Sequence, residues 1–243
     1  MTRSETLEQK KRRAREILDR LRRSIPELRC ELDFNTPLEL AVAAILAAQC
    51  TDKRVNQVTP SLFRRYRNAS DYANADLREL EELIRSTGFF RNKAKNIKAL
   101  GAALVERHGG NVPSEMDALL RLPGIGRKTA HLLRANAFGL PGLIIDTHQI
   151  RVNQRLGLTS HRDPEKIEYD LQKLLPENDW TDWSHAITLH GRYVCTARAP
   201  KCNECPLTDL CPYVQSMSGR RGRENGSGQR RSSRSRARER SAS

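Results

Sequence analysis

Nowhere in the chain's 243 residues does an apolar run approach the roughly 18 that a membrane-spanning helix requires. The most apolar stretch, Leu38 to Ala48, is short and Ala-rich and reads as a buried helix. The N-terminus, MTRSETLEQKKRRAREIL, lacks the apolar centre of a secretory signal and mixes Glu among its Arg and Lys, so the protein is expected to remain in the cytoplasm. Sustained alternation of apolar and polar residues is missing too, which excludes half-buried strands and leaves an all-α fold. Core-forming residues are not scarce: at 37% hydrophobic and 30% charged, the chain as a whole cannot be disordered.

What is present is helical periodicity. Thr36, Pro37 and Glu39 form a cap, a first-turn proline and a capping-box partner ahead of Leu38, Val42, Ile45 and Leu46. Val55, Val58, Leu62, Phe63 and Tyr66 continue at helical spacing, with Pro60 expected to kink or restart the helix. Leu77, Leu80 and Ile84 lead to a stop at Gly88, and Ala94, Ile97, Gly101, Leu104 and Val105 to the Gly109-Gly110 pair. Ser114 and Asp117 bracket a further start, Arg127 to Phe138 ends at Gly139, and Asp163-Pro164 opens a helix stopped by Pro176. Leu143 to Ile145 has the composition of a short strand and runs into Asp146, a good N-cap for a helix from Thr147. Trp180 to Tyr193 reads as the last long helix.

Charge is lopsided. Against 43 basic side chains stand 29 acidic ones, a net +14, and half of that excess falls in residues 217–243, with nine Arg, two Glu and almost no apolar side chain. This segment is read as a basic disordered tail, because it cannot offset the entropy of ordering. The rest is equally basic, which suits a polyanion, since neutralising phosphates releases counterions. A solvated basic surface without a partner has the same composition.

Two local patterns carry chemistry. In Leu122-Pro123-Gly124-Ile125-Gly126-Arg127-Lys128-Thr129-Ala130, alternate glycines between two helical patterns allow a tight turn and close approach of a ligand. The following helix offers N–H groups without intrahelical partners, a seat for phosphate. An ordinary helix–helix turn reads the same way from Gly-x-Gly alone. The second pattern is Cys195, Cys202, Cys205 and Cys211, spaced C-x6-C-x2-C-x5-C. Inside a cell such a set is a metal site more readily than a disulfide framework, and four thiolates suit zinc or an iron-sulfur cubane. Cys30 and Cys50 lie beside helical apolar patterns and are expected to be small buried residues.

The string LPGIGRKTA at 122–130, with HGGNVP at 108–113, IDTHQIRV at 145–152 and HGRYVC at 190–195, resembles the helix-hairpin-helix DNA glycosylases and, within them, the endonuclease III family. The resemblance runs from about Glu27 to Tyr213. It implies two α-helical modules with DNA across the cleft between them: residues 30–139, a helical barrel with the hairpin, and residues 1–29 with 140–216, holding a [4Fe-4S] cluster on the four cysteines. It implies a base-excision repair enzyme, a bifunctional glycosylase and abasic-site lyase acting on double-stranded DNA with oxidised or ring-saturated pyrimidines or abasic sites, as a monomer, and nucleoid-associated in a bacterium.

The resemblance also assigns residues. Lys128 matches the nucleophile, and a lysine at a helix N-terminus with basic neighbours and partial desolvation keeps more of its amine neutral. Asp146 matches the catalytic aspartate, a role compatible with a plain N-cap, and His148 a residue near the site and the DNA backbone. Gly124, Gly126 and Arg127 belong to the phosphate-binding hairpin. Gln49 matches a residue that fills the stack vacated by a flipped nucleotide, and Phe89 a loop position where leucine is usual and which wedges between bases. Taken alone, Gln49 is a polar helix end and Phe89 core filler. Arg198 and Lys201 lie in a cysteine loop that resembles one pressed on DNA phosphates. A mismatch-specific monofunctional glycosylase of the same fold lacks lysine at the hairpin position, and a non-catalytic DNA-binding scaffold has no use for Lys128, Asp146 and Gln49 together.

Overall fold

A computed structural model describes residues 5–216; the tail expected at 217–243 lies outside them. Among the described residues the secondary structure is helical, without a strand. The α-helices are α1 (Leu7–Ser24), α2 (Pro37–Leu46), α3 (Asp52–Arg65), α4 (Ala69–Ala73), α5 (Leu77–Ile84), α6 (Phe90–His108), α7 (Met116–Leu120), α8 (Arg127–Ala137), α9 (Thr147–Arg155), α10 (Pro164–Leu174) and α11 (Trp180–Tyr193). No helix among the described residues is long and apolar enough to cross a membrane.

The chain divides into two compact units. One comprises Met1–Pro26, Thr147–Leu174 and Ile187–Ser243 as far as the described residues run; the other comprises Glu27–Asp146 and Leu175–Ala186. Compared with the outline drawn from the sequence, residues 27–29, 140–146 and 175–186 group with the hairpin rather than with the cysteines. For the last two segments the reason is a hydroxyl: Ser184 Oγ accepts from Ile144 N (2.9 Å) and donates to Gly142 O (3.2 Å), tying the start of α11 to the segment after α8.

The larger unit is built around a core of Leu40, Val42, Leu46, Val55, Leu62, Leu80, Ile84, Ile97, Leu100 and Leu133. α4 and α6 approach so closely that a Cβ on Gly101 would lie 2.7 Å from Ala69 O and Ala73 N. In the other unit α1 turns Ala14, Ile17, Leu18 and Leu21 inward and packs on α10, while Arg13 reaches Leu156 O (2.6 Å) and Arg20 pairs with Asp209 (2.6 Å).

Several local expectations are corrected. Thr36 Oγ1 accepts from Glu39 N, but the Glu39 carboxylate accepts from Asn35 N (2.6 Å), one residue before the cap, so the box is not closed. Of the two outcomes expected at Pro60, a kink or a restart, the restart does not occur, since α3 is continuous through it. One is met in detail: α7 starts at Met116, between Ser114 and Asp117, with Glu115 at the cap position and Ser114 Oγ donating to the Glu115 carboxylate. Leu143 to Ile145 is buried but is not a strand.

Candidate functional site

Residues 121–126 join α7 to α8 in a turn closed by Leu122 N to Leu119 O (3.0 Å) and Ile125 N to Leu122 O (3.2 Å). Buried Leu122 and Ile125 anchor it. Between them Gly124 has φ +76°, and a Cβ there would stand 3.0 Å from Ile45 Cδ1 and 3.2 Å from Asn96 Cβ, so the fold itself demands glycine. Gly126 differs. Its φ of −94° and ψ of 176° suit any residue, and a Cβ would meet nothing within 4 Å. What Gly126 provides is an α8 start without a side-chain cap, where the helix dipole and first-turn amides offer an anion seat.

Gly124, Gly126, Arg127 and Lys128 are all exposed. Among the described residues, the partial desolvation expected of Lys128 is therefore not met.

Gln49 and Phe89 share a conformation the sequence did not reveal. They are the two non-glycine residues with positive φ among the described residues, at 53° and 49°. For an L-residue this costs about 1–2 kcal/mol, and such strain gathers at functional positions. Gln49 is exposed in the turn between α2 and α3, and Phe89, 63% exposed, begins α6. Phe89 is thus no core filler.

Beneath both lies Lys93, buried on α6, donating from Nζ to Leu46 O (2.8 Å) and Thr87 O (2.7 Å). Burial pushes its pKa down, opposed by the charge of Cys50. Sequence reasoning missed Lys93, although it lies four residues before Ile97 on the apolar face of α6. Cys30 and Cys50 are half-buried rather than buried, Cys50 lying in the turn beside Gln49.

Past α8 the chain turns at Gly139 and doubles back so closely that a Cβ on Gly142 would lie 2.6 Å from His131 O. Buried Leu143, Ile144 and Ile145 then carry Asp146, half-buried, to the end of its segment. Gln49, Phe89, the hairpin glycines, Arg127, Lys128 and Asp146 all belong to this unit; His148, Arg198, Lys201 and the four cysteines belong to the other. On α9, His148 Nδ1 lies 3.1 Å from Arg151 Nη2, and Gly191 of α11 is needed because a Cβ there would come within 2.9 Å of His148 Cβ.

The cysteines are organised by two α9 arginines the sequence analysis passed over. Arg151 donates to Gly191 O (2.7 Å) and Cys195 O (3.2 Å). Arg155 donates to Cys195 Sγ (3.2 Å), Thr196 O (2.7 Å) and Ala197 O (2.9 Å), and covers the Tyr213 ring at 4.7 Å. Exposed Arg198 and Lys201 flank the loop these bonds hold.

All four cysteines line one apolar cavity with Val152, Leu156 and His190. Burial raises the pKa of Cys202 and Cys205, and the other cysteines push each further. Among the described residues, however, no three His, Cys, Asp or Glu side chains stand close enough to hold a single metal ion. Four thiols around one cavity are the donor set that would hold an iron-sulfur cluster.

Comparison with known proteins agrees with this geometry. A family model described as HhH-GPD superfamily base excision DNA repair protein matches residues 42–177, and one described as the iron-sulfur binding domain of endonuclease III matches residues 195–211. The chain is thus a helix-hairpin-helix base-excision repair protein. It is 55% identical to endonuclease III of Synechocystis sp. over 207 residues, 85% of this chain and 94% of that one. Two solved structures, a non-covalent endonuclease III–DNA complex and a trapped endonuclease III–DNA covalent intermediate, each match at 42% identity and a TM-score of 0.81, over 86% of this chain and 98% of theirs. The chain belongs to the endonuclease III family. It is a bifunctional DNA glycosylase and abasic-site lyase that binds DNA, and its cofactor is a [4Fe-4S] cluster.

Proposed function

We propose that Lys128 is the nucleophile, acting with Asp146 on oxidised or ring-saturated pyrimidines and abasic sites in duplex DNA, in a monomer working in the cytoplasm, on the nucleoid in a bacterial cell. The observation that carries the reading is the exposed Lys128 on the first turn of α8, two residues after Gly126, which has open space around it and gives the helix no side-chain cap.

The hairpin amides and Arg127 grip a backbone phosphate without reading sequence, bringing the sugar to the amine. The lone pair of Lys128 Nζ forms a bond to C1′, and the glycosidic electrons leave with the base, which takes up a proton. The Asp146 carboxylate steadies the positive charge on the sugar as that bond breaks. Ring opening leaves an imine between Nζ and C1′. Removal of a C2′ proton expels the 3′ oxygen and nicks the strand, and water then frees the lysine.

Because a stacked base is out of reach, Gln49 and Phe89 fill the space left by the extruded nucleotide. His148 lies near the backbone, and Arg198 and Lys201 press on phosphates. Cys195, Cys202, Cys205 and Cys211 are the cluster ligands, and the bound cluster supplies a cross-link that fixes this loop, glycosidic cleavage being no redox step.

Borohydride added during reaction with a panel of lesion duplexes tests the reading. It reduces the imine, so the unaltered protein is expected to remain covalently attached to DNA carrying saturated pyrimidines, and Lys128→Ala is not. A trapped Lys128→Ala adduct refutes the lysine assignment; a panel in which only undamaged mismatches are cut refutes the substrate class.

A further inference from the structure

We infer that Lys93 is a positioning residue that locks the turn bearing Gln49 and the turn bearing Phe89 into a single lesion-reading jaw. The inference rests on the insertion roles proposed above.

Its basis is a three-point attachment. Lys93 Nζ donates to Leu46 O (2.8 Å), at the end of α2 and three residues before Gln49. It also donates to Thr87 O (2.7 Å), two residues before Phe89. The Lys93 backbone N–H bonds to Phe89 O (3.2 Å). One buried side chain therefore spans two turns separated by some forty residues of sequence and holds each just ahead of its left-handed residue.

Filling core space does not require a lysine. A buried ammonium loses hydration, and an apolar side chain of similar length fills the same volume without that loss. What only a long donor provides is simultaneous capture of two carbonyls at the ends of helical segments, which have no onward intrahelical partner. A left-handed non-glycine residue persists where its surroundings over-determine it. Lys93 provides such a constraint for two of them at once, so that filling the duplex from one turn is coupled to wedging from the other.

The test compares single-turnover nicking of a lesion duplex with nicking of a single strand carrying a preformed abasic site, where no stacked hole needs filling. Lys93→Met is expected to lower the duplex-to-single-strand rate ratio roughly ten-fold or more, as are Gln49→Ala and Phe89→Ala. 2-Aminopurine beside the lesion should lose its fluorescence rise on binding in all three. Lys93→Met combined with Phe89→Ala should be little worse than either alone, because both disable one device.

Should Lys93→Met not fold, Lys93→Gln, with an amide too short to span both carbonyls, is read against the same ratio. If the Gln49 and Phe89 variants shift the ratio while the Lys93 variants slow both substrates equally or neither, the jaw is overturned and Lys93 only supports the fold. If the Gln49 and Phe89 variants leave the ratio unchanged, the insertion roles themselves fall, and the jaw with them.

Discussion

Phe89 holds φ at 49° with its ring 63% exposed, so Phe89→Gly releases strain while giving up little buried surface. The added freedom of the unfolded chain opposes that gain. Thermal unfolding should therefore occur at the same temperature or up to about 4 °C higher, while cleavage of a lesion duplex falls roughly ten-fold. A calorimetric scan and a nicking assay on the same preparation check the pair, and a variant that loses stability along with activity removes the case for strain. Gln49 and Phe89 were legible only through a matched string. Their backbone angles were not, because neither is a glycine or asparagine that would announce a left-handed turn. Lys93 was hidden for the opposite reason: a lysine is presumed solvated until a fold places two carbonyls at its tip.

Among the elements, the α4–α6 contact is the most sensitive to volume. Gly101→Ala would place a carbon 2.7 Å from two backbone atoms of α4, where no side chain can swing away, and about 1–3 kcal/mol of stability should be lost. Denaturant unfolding measures this, and an unchanged midpoint would show that α4 is free to move. The Arg155 guanidinium holds the first cysteine loop and one face of Tyr213 together. Arg155→Met should therefore bleach the iron-sulfur absorption faster than in the unaltered protein while far-ultraviolet dichroism stays the same. Long helices were legible from apolar spacing, and α11 begins and ends where its pattern predicts. The five-residue α4 was not, since one turn and a half shows no period; its signal was the Asn68–Asp71 capping box.

For the molecule as a whole, acid acts through buried and paired groups. His185 is buried, and desolvation lowers its pKa below the ordinary 6.5, with Asp182 opposing. The folded state thus binds fewer protons than the unfolded one, so this contribution is complete above pH 6.5 and is lost as pH falls from there through the lowered folded pKa. The pKa values of Glu79 and Asp209 are lowered by their hydrogen bonds to Arg65 and Arg20, and their contributions disappear only at more acid pH. Stability should decline in two stages on acidification, and His185→Gln should make the first shallower without abolishing it, because buried His190, its pKa lowered to about 4, contributes over the same range; denaturant midpoints between pH 7 and about 5 read this.

Charge makes a separate demand. Deleting residues 217–243 removes half of the net +14 and should reduce the salt dependence of DNA affinity; an unchanged slope makes that segment a bystander. Composition announced the polyanion, but not the inward-facing carbonyls and arginines that arrange the site. The hairpin keeps one more distinction. Its first glycine answers to Ile45 and Asn96 inside the protein, whereas its second answers to nothing among the described residues. A descendant that ceased to handle nucleic acid would be free to carry alanine at position 126 with its architecture intact, yet would remain bound to glycine at 124.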